Sequence, residues 1–110
     1  MEIIHIVLGK ANPDRLNGVN KVVYNMASEQ VKAGKKVSVW GITKDIQHNY
    51  PERIFNTTLF KSHWFPFRIH SELKIAIVEN KQAVFHLHGG WIPVFSSLAR
   101  LFTKHQIKFV

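Results

Sequence analysis

Apolar and polar positions along this chain change their period several times, and each change marks an element. Residues 3–8 are aliphatic except for His5 and close on Gly9. A short unbroken run of that kind predicts a strand covered on both faces, as in a parallel sheet. Residues 9–18 are rich in Asn, Pro, Asp and Gly and predict a loop. From Val19 to Ala33 the apolar residues Val19, Val22, Val23, Met26, Ala27 and Val31 recur at helical spacing. Lys21, Asn25, Ser28, Glu29 and Lys32 fall largely on the other side, and Gly34 suits a left-handed helix cap. Residues 36–41 then predict a second strand. Strand, helix and strand make one βαβ unit, which crosses over right-handedly.

The alternation continues. Residues 42–52 are polar loop, and residues 53–60 hold a short third strand at a sheet edge. Lys61 to Arg68 is loop, interrupted by Pro66. Residues 69–80 predict a helix with Ile69, Leu73, Ala76 and Ile77 inward, and residues 83–88 a fourth strand. Pro93 fits the first turn of a further helix, where a missing amide hydrogen costs nothing. That helix ends near Lys104, and a fifth strand begins near Ile107. The fold class is therefore α/β: a doubly wound, Rossmann-like parallel sheet of about five strands in the order 3-2-1-4-5. No repeat, low-complexity tract or domain boundary interrupts residues 1–110. Because the last residues read as a parallel strand, the chain is expected to be the front part of a longer domain. In such sheets ligands bind beyond the carboxyl ends of the strands, where the strand order reverses. That point lies between strands 1 and 4, so loops 9–18 and 88–92 should meet there.

Composition narrows the chemistry. Hydrophobic residues are 45% of the chain, enough for a core, which argues against disorder. The absence of cysteine removes disulfides, thiolate zinc sites and cysteine nucleophiles. No run of about 18 apolar residues is present to span a bilayer. The opening apolar run is short, with Glu2 ahead of it, unlike a signal peptide. The expected location is the cytoplasm, free or peripheral at the inner face of the membrane. Lys plus Arg outnumber Asp plus Glu by 15 to 7, a net charge of +8, which favours anionic partners without choosing among them.

Three stretches carry candidate chemistry. In loop 9–18, ten residues are long for a βα connection, where roughly 2–6 is usual. Gly18 would allow close approach of a substrate, Asn17 is a candidate helix cap, and Lys10 and Arg15 add positive charge. Neither the dinucleotide fingerprint nor the phosphate-loop pattern is present, which argues against a nicotinamide enzyme and that class of ATPase. In the second stretch, His86 and His88 share one face of a strand and are followed by Gly89 and Gly90. Two such histidines suit a metal, but no obvious third ligand appears, and His5 reads as structural. No metal or cofactor is expected. His88 is better placed as a hydrogen-bond partner for a sugar hydroxyl in the cleft, with Gly89 opening space beside it. In the third stretch, Lys61, Trp64, Phe65 and Arg68 belong to a loop of aromatics flanked by cations. Three placements suit its rings: capping the core, lying at an anionic membrane surface, or stacking on bases. No standard nucleic-acid motif accompanies them, and no nucleic-acid partner is expected.

Taken in order, these segments resemble the family-4 retaining glycosyltransferases, which have the GT-B fold. Gly18-Val19 at the helix head, Asn20 to Val31 with Gly34 to Val39, Ala83 to Gly89, and Pro93 to Leu101 followed by Ile107 to Val110 carry the resemblance. It departs from the family at Asn17, where a second glycine is common, and at Ala83, where Asp is common. The resemblance implies two Rossmann-like domains around a cleft. The first holds the acceptor, a glycan or lipid-linked molecule. The second, not within these residues, mostly holds the nucleotide-sugar donor. It implies sugar transfer in bacterial surface-polysaccharide synthesis, with Gly18, His88 and Gly89 at the cleft. The segment alone is expected to be inactive, and no residue in it is a convincing nucleophile or base. The alternative reading is a non-catalytic basic α/β ligand-binding domain.

Overall fold

The computed structural model describes residues 1–13, 18–89 and 92–110. Its elements are β1 (Glu2–Leu8), α1 (Gly18–Lys32), β2 (Lys36–Thr43), β3 (Asn56–Lys61), α2 (Ser71–Glu79), β4 (Val84–Leu87) and α3 (Pro93–Lys104). The four strands form one sheet in the order β3-β2-β1-β4, and every pairing is parallel. His5 is in register with His86 across β1 and β4.

Crossover handedness explains the layering. The step from β1 to β2 and the step from β3 to β4 run in opposite directions across the sheet. Right-handed connections then place their helices on opposite faces. Accordingly α1 packs with Val7, Val37, Val39 and Phe55 on one face. Helices α2 and α3 pack with Ile4, Ile6, Trp40 and Phe85 on the other. The β2–β3 connection carries no helix among the described residues, so α1 is the one described helix on its face.

The α2/α3 face is the larger core. Phe85, Phe95 and Phe102 are fully enclosed there, and Phe85 stacks on Phe102 with centroids 4.9 Å apart. The Trp40 ring meets Phe60 at 5.2 Å and Phe85 at 5.5 Å.

Several expectations are corrected. The sheet has four strands, not about five. The segment expected to form the fifth lies beside β4 and pairs through one isolated bridge, Phe85 to Phe109. Its hydrogen bonds run between Lys108–Val110 and Phe85–Leu87, too few for a ladder. The third strand, expected within residues 53–60, spans Asn56–Lys61, and Arg53 before it packs on the Tyr50 ring, 3.7 Å from its centroid. Helix α2 begins at Ser71, since His70 is in extended backbone and Ile69 packs on the core from the preceding loop.

Candidate functional site

The carboxyl rim of the sheet is organised by the exit of β1. The Gly9 amide donates to the Ile42 carbonyl at 2.9 Å, continuing the ladder past the strand. Gly9 has a φ of +108° and its Cα lies against Asn20, so a Cβ there would fall 2.7 Å from Asn20 Oδ1. Opposite it, a Cβ on Gly41 would fall 2.1 Å from the Gly9 carbonyl oxygen. Both glycines are thus required by close backbone approach. Asn20, in the first turn of α1, is buried, accepts from the Ala11 amide at 2.9 Å and donates to the Leu8 carbonyl at 3.3 Å. It satisfies both polar groups left open where β1 ends. Asn20 sits among polar neighbours in the sequence, and only its place near the head of a helix following a long loop hints at this role.

Lys10 does not stand free in the loop. Its buried ammonium donates to Asp45 Oδ2 at 3.2 Å, the Gln47 carbonyl at 2.6 Å and Asn49 Oδ1 at 2.5 Å. All three protons are taken within the protein. The Gln47 amide, then the Lys10 ammonium, hold the Asp45 carboxyl below its ordinary range. Arg53 donates to the Lys10 carbonyl at 2.7 Å and completes the clip between the β1 exit and the β2–β3 loop. Arg15 and Asn17 lie outside the described residues. Gly18 is the exposed first residue of α1, and a Cβ there would meet no heavy atom of the described residues within 4 Å.

The histidines form a cluster on the α1 face. The fully buried His5 ring donates from Nε2 to Gln30 Oε1 of α1 at 2.7 Å. That leaves Nδ1 with its lone pair, 2.9 Å from His88 Nε2, which donates to it. His86 stacks on His88 with centroids 4.0 Å apart. Burial lowers the pKa of each ring. For His88, burial first and then the neighbouring His86 and His5 bring it down to about 4. For His5, burial outweighs the opposing bond to Gln30, and for His86 burial alone acts. The three rings are therefore neutral at neutral pH. His5 was the residue that sequence reasoning missed as their companion. The signal was available in combination: β1 and β4 were expected to be neighbours, and alternation along each strand left only the register to supply.

His88 is tied to the rim through its backbone, donating to the Ile6 carbonyl at 3.1 Å, and Gly89 follows with a φ of +121°. The loop after β4 thus leaves from the same end of the sheet as the loop after β1; Asn17, Gly90 and Trp91 of the two loops lie outside the described residues.

On the α2/α3 side of the rim lies a cavity of about 240 Å³. Leu8, Ile42, Leu73, Ile92 and Val94 supply an apolar lining, and Lys61 and Arg68 join it. Through Arg68, Ile69, His63 and His70 it shares walls with an open groove of about 760 Å³ carrying Lys74, Arg100 and Lys104. The aromatic loop borders both. Trp64 is 87% exposed, and Phe65 and Phe67 are also exposed, so these rings do not cap the core. The loop is nonetheless built: Ser97 Oγ of α3 donates to the Phe67 carbonyl at 2.5 Å, and the Phe65 amide donates to His63 Nδ1 at 3.0 Å. An exposed aromatic cluster of this kind marks an interaction surface. No described helix is long and apolar enough to cross a membrane.

Comparison of the sequence with family models and curated proteins, and of the fold with solved structures, finds no match.

Proposed function

We propose that this chain is the acceptor-side, Rossmann-like part of a GT-B glycosyltransferase that moves a sugar from a nucleotide-sugar to a lipid-linked acceptor. The supporting observation is the rim cavity: an apolar pocket that shares its walls with a cationic groove, beside exposed aromatics. An acceptor with a lipid chain and a phosphate needs those three surfaces together. The chain enters an apolar pocket, the phosphate meets Lys61 and Arg68, and the rings lie at headgroup level. The exposed Gly18 at the head of α1 and the His88-Gly89 turn after β4 would serve the sugar end. The donor and its diphosphate would be held mainly by a second domain. Catalysis in this reading is positioning and charge stabilisation, with no covalent step on these residues.

The test is binding of the purified chain to vesicles doped with a polyprenyl phosphate, set against neutral vesicles and random oligonucleotides. Selective retention by the polyprenyl-phosphate vesicles, lost on Arg68→Glu, supports the reading. Tight oligonucleotide binding with a steep salt dependence, and indifference to the vesicles, overturns it.

A further inference from the structure

We propose that His5, His86 and His88 form a binding site for one late first-row divalent ion, such as Zn²⁺, Ni²⁺ or Cu²⁺, on the α1 face of the sheet. One ring nitrogen from each histidine lies within 4.8 Å of the other two. The closest pair, His5 Nδ1 and His88 Nε2, is 2.9 Å apart. Zinc–nitrogen bonds of about 2.0–2.1 Å in a tetrahedral site separate ligand nitrogens by about 3.3 Å. The cluster brackets that value. The register pairing of His5 with His86, and strand alternation at His86 and His88, hold all three on rigid backbone.

The surroundings are those of a ligand set. Metal-bound histidines commonly donate their second N–H to a fixed acceptor, which sets the tautomer. Gln30 does this for His5 at 2.7 Å, leaving Nδ1 as the free lone pair. Burial keeps the rings neutral, the form that binds metal. His86 and His88 are half-buried, so an ion can enter from that side. Binding requires two small changes. The proton on His88 moves from Nε2 to Nδ1, so that Nε2 turns its lone pair to the ion and no net charge changes. The His86 ring turns out of its stack to converge on the same point, and its partial exposure leaves room for this. Three neutral imidazoles with no carboxylate favour zinc, nickel or copper over magnesium or calcium, and leave a fourth position for solvent.

The experiment is calorimetric titration of the metal-stripped full chain with Zn²⁺, with Co²⁺ absorption as a spectroscopic check. One ion per chain is expected. His86→Ala and His88→Ala should each weaken binding by more than the roughly 10–100-fold expected for Gln30→Leu, which removes only the outer partner. His48→Ala and His105→Ala, both exposed, should leave it unchanged. Should a variant lose its native circular dichroism, ring-nitrogen NMR of the unaltered chain decides. Zn²⁺ must shift the His5, His86 and His88 resonances and spare His48 and His105. No saturable binding by the unaltered chain, or binding that survives both variants, overturns the proposal, as does an NMR response confined to surface histidines.

Discussion

The two faces of the sheet are built from different materials. The α2/α3 face is closed by large rings and aliphatics, with Phe85, Phe95 and Phe102 fully enclosed. The α1 face uses Val and Ala with one ring, Phe55, and carries buried His5 on β1 and Asn20 in the first turn of α1. Both have partners: His5 donates to Gln30 at 2.7 Å, and Asn20 bridges the Leu8 carbonyl and the Ala11 amide. The difference teaches where stability and chemistry reside. One face contributes hydrophobic burial, while the other holds polar side chains in set positions at the cost of a thinner core.

The largest effect should come from the aromatic face. Phe102→Ala should lower the unfolding free energy by about 3–5 kcal/mol, read from the urea midpoint. Val23→Ala on the α1 face removes fewer atoms and should cost less; equal losses would break the comparison. Next comes Asn20→Ala, which strands the Ala11 amide and the Leu8 carbonyl and should cost about 1–3 kcal/mol. A loss near zero would mean that water replaces the side chain there.

Acidification should act on the α1 face by a graded amount. The folded pKa of His88 is about 4, below the ordinary value of 6.5, and those of His5 and His86 are also depressed. Between these values the unfolded chain binds more protons than the folded one. Stability from the neutral rings is therefore complete above about pH 6.5 and declines as pH falls toward 4. His88→Ala should flatten that slope in urea titrations at stepped pH, and an unchanged slope would place the acid sensitivity elsewhere. The smallest effect on folding is expected for Trp64→Ala, within about 0.5 kcal/mol, because the ring is almost fully exposed. Under the proposed lipid-acceptor reading, retention on anionic vesicles should nevertheless fall.

Much of the fold was legible because β1, α1 and β2 carry clean periods and the order of strands follows from connection rules. Boundaries were less so: the pattern places a strand within residues 53–60 without fixing its start, and the contact of Arg53 with Tyr50 just before it is one that no local pattern announces. The site was legible as a place more than as a set of roles. The loops after β1 and β4 do leave from the same rim of the sheet. The occupation of Lys10 depends on acceptors 35 to 39 residues away, which spacing along the chain does not reveal. The His5 contact depends in the same way on inter-strand register.

The grip of Lys10 has a kinetic corollary. Three attachments of the Asp45–Asn49 segment end on a single nitrogen. Once that nitrogen lets go, all three of these bonds are lost together. A protease should then find the whole stretch or none of it.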